Sequence, residues 1–171
     1  MTHDHSGSDP KPFWIAGSPR TSDTVVTVKS PFDGAVAGSY YVPTAQDVEQ
    51  AVAGAHDSVR ASAALPASAR AAALDHISRQ IAARGEEIAS AITSENGKPI
   101  MWANAEVGRA VSTFRWAAEE ARRWSGDLQR LDTDPAAAGR LALVRRFSKG
   151  PILGIAPFNF PLNLVAHKVA P

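Results

Sequence analysis

Residues 151–156 read Pro-Ile-Leu-Gly-Ile-Ala, a run without a polar side chain. A short continuous apolar run bounded by turn residues is the pattern of a strand buried on both faces, as in a parallel sheet covered by helices. That expectation constrains everything else. A single strand of this kind leaves two edges of unpaired backbone donors and acceptors, so it needs neighbours to make a sheet. No second run of this type occurs in the 171 residues, so the sequence reads as incomplete as a domain.

The other apolar segments are of different kinds. Residues 13–16, 24–29 and 35–42 are short, β-branched or aromatic, and punctuated by turn residues. Ser30-Pro31-Phe32-Asp33-Gly34 separates the last two and predicts a hairpin. Thr44 with Asp47 three residues on suggests a capping box, opening a helix whose stripe is Val48, Ala51, Val52, Ala55 and Val59. A second helix is expected from Pro66 to Glu95, with Leu74, Ile77, Ile81, Ile88 and Ile92 on one side. Asn96-Gly97 supplies a left-handed stop and Pro99 forbids continuation. A third helix spans Met101 to Trp124, and its aromatics Trp102, Phe114, Trp116 and Trp124 are expected in the core. Two solvent-facing strands, Leu128–Leu131 and Leu141–Phe147, flank a loop at 133–139, and a final helix begins near Leu162.

Composition removes several function classes. Eighteen basic residues against 17 acidic ones give a net charge of +1, which offers nucleic acid or an anionic membrane no attraction. No window approaches the roughly 18 consecutive apolar residues of a membrane span. The polar N-terminus reads as a mobile tail over residues 1–11 without a secretion signal, so a cytoplasmic location is the default expectation. Cysteine is absent, which excludes disulfides and a thiol nucleophile within these residues. His3 and His5 lack a third ligand for a metal, and His56, His76 and His167 fall on separate helices.

The segment Gly154-Ile-Ala-Pro-Phe-Asn-Phe-Pro-Leu-Asn163 then places one amide, Asn159, between two phenylalanines and two prolines. Proline suits the first helical position, so Asn159 can be read as a helix cap displaced by one residue or as a turn residue. Alternatively, it projects an amide donor at the carboxyl end of a parallel strand, where ligand crevices lie. A donor fixed there can stabilise an oxyanion. The residues alone leave both readings open.

The run from Gly150 to Pro171 closely resembles the strand, Pro-aromatic-Asn-Phe-Pro turn and helix of the NAD(P)-dependent aldehyde dehydrogenase superfamily. Ser30-Pro31-Phe32-Asp33-Gly34 is similar to that family's early turn, and Glu95-Asn96-Gly97-Lys98-Pro99, with Glu106 beyond, to its Glu-x-Gly-Lys-Pro hallmark. The resemblance extends from about residue 12 and implies an α/β fold. Residues 12–127 would be the N-terminal part of a Rossmann-type cofactor domain with a β-hairpin and three long helices. Residues 128–148 would form a two-stranded arm that pairs with another subunit in a homo-oligomer. Residues 149–171 would be the first strand, Asn turn and truncated helix of the cofactor sheet. It further implies that Asn159 donates to the oxyanion and that Ile155, Ala156, Pro157, Phe158 and Asn159 line the nicotinamide side of an NAD or NADP cleft. The substrate would be a small aldehyde, oxidised to a carboxylate through a cysteine thioester.

The family's cysteine, general-base glutamate and glycine-rich pyrophosphate motif are all missing from these residues. The chain alone is therefore expected to be inactive. Glu95, Glu106 and Glu119 lie on helical faces and are expected in solvated or structural roles, not as the missing base. The competing expectation is a short, non-catalytic interaction or scaffold module, or a pseudogene product.

Overall fold

A computed structural model describes residues 9–171. Residues 1–8, which carry the two histidines of the expected tail, lie outside the described residues, whereas Lys11, placed at the end of that tail, is held by backbone bonds to Ser39 and Tyr41. The chain begins with two hairpins. β1 (Phe13–Ile15) and β2 (Ser18–Arg20) pair antiparallel, with Ile15 opposite Ser18. The two residues between them, Ala16 and Gly17, both have positive φ, 49° and 78°. That is the backbone a two-residue hairpin turn requires, because its twist then matches that of the strands. The sequence reading had a lone strand here; Pro19 in the partner strand hid it.

β3 (Val25–Lys29) and β4 (Val36–Tyr41) form the expected hairpin. Its turn is closed by Asp33, whose carboxylate accepts from the Ala35 amide at 3.1 Å, with Gly34 at φ 74°. Lys11 joins the free edge of β4 through bonds to Ser39 and Tyr41.

α1 (Ala45–Asp57) starts on the anticipated capping box, Thr44 Oγ1 accepting from the Asp47 amide while the Asp47 carboxylate accepts from the Thr44 amide at 2.8 Å. Its apolar stripe is not buried: Val48 and Val52 are exposed, and the short α2 (Val59–Ala64) follows without a core face. The long helix expected over 66–95 is two helices, α3 (Ala67–Ala83) and α4 (Gly85–Asn96), broken at Arg84, which leaves helical geometry at φ −104°, ψ 20°. Gly85 directly after it weakens helix continuation.

The core is built on α5 (Ile100–Arg123). Ala103, Glu106, Val107, Ala110, Phe114 and Ala118 recur at helical spacing and are all buried. Ala89 and Ile92 of α4 pack on Ala103 and Val107. Against α3 the approach is close, since Ala71 is wholly buried and Ser78 Oγ donates to the Val111 carbonyl at 2.9 Å. Arg122 pairs with Asp75 across the same two helices. Of the aromatics expected inside, only Phe114 is buried; Trp102, Trp116 and Trp124 are exposed on faces that no described element covers.

β5 (Asp127–Arg130) and β6 (Leu141–Val144) form the expected exposed antiparallel pair. Gly126 permits it: a Cβ there would lie 2.2 Å from the Val144 carbonyl oxygen. The largest departure follows. Residues 151–156 form no strand, and Ile152 and Leu153 are 86% and 83% exposed. The three sheets of the described residues are separate two-stranded ribbons, and none offers this run an edge. Without a neighbour, an apolar run has neither ladder bonds nor a covering layer. The chain closes with α6 (Asn163–Val169), whose Ala166 packs on Ala110 and Phe114.

Candidate active site

Three stretches far apart in sequence converge where α6 begins. The first is the junction between α4 and α5. α4 ends with Gly97 in the left-handed conformation (φ 75°), its amide donating to Thr93 at 2.9 Å, and Pro99 starts α5 at once. Gly97 is required twice over, because a Cβ there would also lie 2.7 Å from Pro31 Cγ. The Ser30-Pro31 turn of the β3–β4 hairpin therefore sits directly on this junction.

The second stretch is the turn 157–162. Its backbone carbonyls are taken by side chains of the junction. Asn96 Nδ2 donates to the Phe158 carbonyl at 2.7 Å, and Lys98 Nζ donates to the Asn159 carbonyl at 2.8 Å. Lys98 Nζ also stands 4.0 Å above the Phe160 ring, and the Arg109 guanidinium lies 4.8 Å from the same ring.

Glu106 is the third. It is the largest fully buried side chain, at 0% exposure. One carboxylate oxygen pairs with Lys98; the other accepts from the Leu162 and Asn163 amides at 2.9 and 3.0 Å. A buried carboxylate is tolerated only when it is paired and its remaining lone pairs are used, and both conditions hold here. Burial pushes its carboxyl upward. The Lys98 bond, the two amide bonds and the Lys98 charge together outweigh that and hold it below the ordinary glutamate range. By contrast, burial raises Glu95, whose carboxylate faces Gly38 of β4.

Asn159 stands in a turn, as one of its readings had it. It is not a displaced helix cap. Residues 158–162 turn before the helix, α6 starts at Asn163, and the capping acceptor is Glu106, supplied from another helix. The Asn159 side chain is exposed, and among the described residues its amide has no hydrogen-bond partner. Ile155, Ala156, Pro157 and Phe158 run up to it as one exposed, apolar ribbon. Glu119 is exposed and pairs with Arg122, so among the three glutamates only Glu106 is structural in the full sense.

The structural role expected of Glu106 is found, whereas its partner Lys98 carries no expectation from the sequence beyond its place in the hallmark. A signal existed: Glu106 lies on the stripe of Ala103, Val107, Ala110 and Phe114, where a charge must be answered.

Residues 14–171 match the aldehyde dehydrogenase family. The chain belongs to that family. Aspartate-semialdehyde dehydrogenase 1 of Pseudomonas canavaninivorans is 36% identical over 146 residues, which is 85% of this chain and 31% of that protein. Among solved structures, aldehyde dehydrogenase 21 of Physcomitrella patens, in complex with its reaction product succinate, superposes with a TM-score of 0.89. Its identity is 37%, covering 95% of this chain and 34% of that one. The NADP-dependent glyceraldehyde-3-phosphate dehydrogenase of Bacillus halodurans, complexed with NADP, gives a TM-score of 0.88 at 29% identity, over 95% and 35% of the two chains. This aldehyde dehydrogenase chain thus spans about a third of the length of the relatives it matches. The TM-scores show that the chain shares its fold with about a third of each of these structures.

Proposed function

We infer that this chain supplies the oxyanion side of an aldehyde dehydrogenase site, in a protein that oxidises a small aldehyde to a carboxylate. The observation that carries the reading is the state of Asn159: its backbone is held through its carbonyl while its side-chain amide is free and exposed. A donor held at its base and open at its tip is what stabilisation of developing negative charge requires, since no reorganisation is needed when the charge appears. Asn159 Nδ2 would donate to the oxygen of the tetrahedral adduct and again when the acyl-enzyme is hydrolysed. The attacking thiolate and the general base would come from residues outside these 171.

The adjoining ribbon fits a nicotinamide cofactor. Ile155 and Phe158 present exposed apolar surface, Pro157 cannot occupy the face with an amide donor, and Asn159 adds one polar group at the end. Residues 155–159 would hold one side of NAD or NADP, which supplies the hydride acceptor when bound. Among the described residues no helix is long and apolar enough to cross a membrane. The exposed pair β5–β6, within residues 128–148, would join a second subunit, presenting Leu128, Leu141 and Leu143. The isolated chain is inactive on this reading, because it contributes a donor and no nucleophile.

The first test is the mass of the native polypeptide, detected with antibody to residues 9–40. A species several times larger than 18.1 kDa supports the reading. In that species Asn159→Ala should lower kcat by about 10²–10³ while leaving cofactor binding intact. If the cell holds only the 18.1 kDa chain, the non-catalytic interaction module takes the place of the dehydrogenase.

A further inference from the structure

An amide donor acts on a developing charge only if it stands in one place. Among the described residues nothing holds the Asn159 side chain itself, so its position must be set through the backbone. Side chains from 96 to 106 hold four backbone groups of the turn and the first residue of α6. Asn96 takes the Phe158 carbonyl, Lys98 the Asn159 carbonyl, and Glu106 the Leu162 and Asn163 amides. Of these, Lys98 alone touches Asn159.

Lys98 is itself fully determined. Its side chain is only 11% exposed. An ammonium has three donors. One serves the Glu106 carboxylate, one the Asn159 carbonyl, and the remaining face of the ammonium meets the Phe160 ring at 4.0 Å. Glu106 is fixed in turn by the Leu162 and Asn163 amides at the start of α6, so the lysine's carboxylate partner is held in one place. Pro99 and the left-handed Gly97 on either side leave the Lys98 backbone little freedom.

We propose that Lys98 is the positioning residue of this site: it fixes the Asn159 amide through the Asn159 carbonyl, and Glu106 acts by holding Lys98. The proposal rests on the reading of Asn159 as an oxyanion donor and adds what makes that donor stationary. It predicts that losing the ammonium frees Asn159 without unfolding the helices beneath it.

The test compares Lys98→Met, which keeps the stem over Phe160 but removes every donor, with Lys98→Arg, which restores donors of both kinds. In the 171-residue chain, ¹⁵N relaxation is measured at the Asn159 backbone and side-chain amide. The backbone order parameter at Asn159 should fall from about 0.85 to below about 0.6 in Lys98→Met and recover in Lys98→Arg, with that of the side-chain amide falling alongside it and α3 and α5 amides unmoved. Lys98→Gln, shorter but still polar, serves if the methionine variant does not fold. Order retained at Asn159 in the variant lacking an ammonium overturns the proposal. So does equal loss of order throughout α3 and α5. In the native polypeptide that carries a nucleophile, Lys98→Met should lower kcat about 10²-fold with KM nearly unchanged, the split expected of a group that matters in the transition state. Loss of order with kcat unchanged would confirm the positioning and refute the oxyanion role instead.

Discussion

Replacing Glu106 by glutamine isolates the charge at the centre of this arrangement while keeping its volume. Glutamine can still accept from the Leu162 and Asn163 amides, but it presents either an amide donor or an uncharged oxygen to the Lys98 ammonium. Removing one member of a buried pair costs about 3–5 kcal/mol, because the other charge is left without an answer. The structure says where that cost is felt. Glu106 spans α5 and the start of α6, and α6 is otherwise held by little more than Leu162, Ala166 and Ala170 on Ala110 and Phe114. The variant should therefore release residues 158–170 before it unfolds α3 or α5. At 1.4 kcal/mol per factor of ten, amide exchange at Leu164 and Ala166 should accelerate by about 10²–10⁴.

Hydrogen exchange by NMR reads this residue by residue. The acid response supplies a control of known sign. Glu106 is held below the ordinary glutamate range in the folded chain, so its contribution is present above the unfolded-state value. It is lost as pH falls through the lower folded-state value. Wild-type α6 should thus lose protection on acidification, and Glu106→Gln should show no such step from this group. Acceleration below tenfold at α6, or equal acceleration at α3, would refute the reasoning.

Gly97→Ala combines a left-handed backbone with a Cβ placed 2.7 Å from Pro31 Cγ, and should cost about 1–3 kcal/mol or more in chemical denaturation, whereas Gly108→Ala, with open space around its Cβ, should be neutral or stabilising. Glu95 is raised by burial, so the folded chain favours its protonated form and loses stability as pH climbs through the ordinary glutamate range. Glu95→Gln should remove that loss, so its urea midpoint at pH 7, taken relative to that at pH 4, should lie higher than in wild type. Trp14, Trp102, Trp116 and Trp124 are all exposed, so acrylamide should quench nearly all native fluorescence. A blue-shifted, protected fraction in the monomer would contradict the exposure of at least one of them.

What could be read in the sequence and what could not divide along one physical line. Elements decided by local chemistry stand where the residues placed them. The Thr44–Asp47 box, the Asn96-Gly97 stop, the Ser30–Gly34 hairpin turn and the exposed strands of the arm are examples. Each is closed by bonds within a few residues. Readings that inferred burial from apolar pattern met a different fate. Val48 and Val52 repeat at helical spacing, and Ile152, Leu153 and Ile155 are continuous, yet all are exposed. An apolar pattern states what a segment would bury; whether it does depends on a covering layer that no local motif encodes.

The stiffness of the Asn159 turn shows the same division. From composition, two phenylalanines and two prolines suffice to hold one asparagine. In the structure they do not share that work equally: Phe158 is exposed. Phe160 is engaged, but by two cations lying over its ring. The prolines narrow the backbone, and the clamp of Asn96, Lys98 and Glu106 selects one conformation from what they allow. That clamp comes from residues 61 and 62 positions away for the two carbonyl bonds, and 56 and 57 for the amide bonds. Its cost is a charge buried in the middle of α5, which an alanine would remove with no harm to the helix. A carboxylate at that position, once buried, is answered by Lys98 and by the docked turn. The placement of Asn159 is therefore what Glu106 and Lys98 together explain, and the stability of the helical core is not.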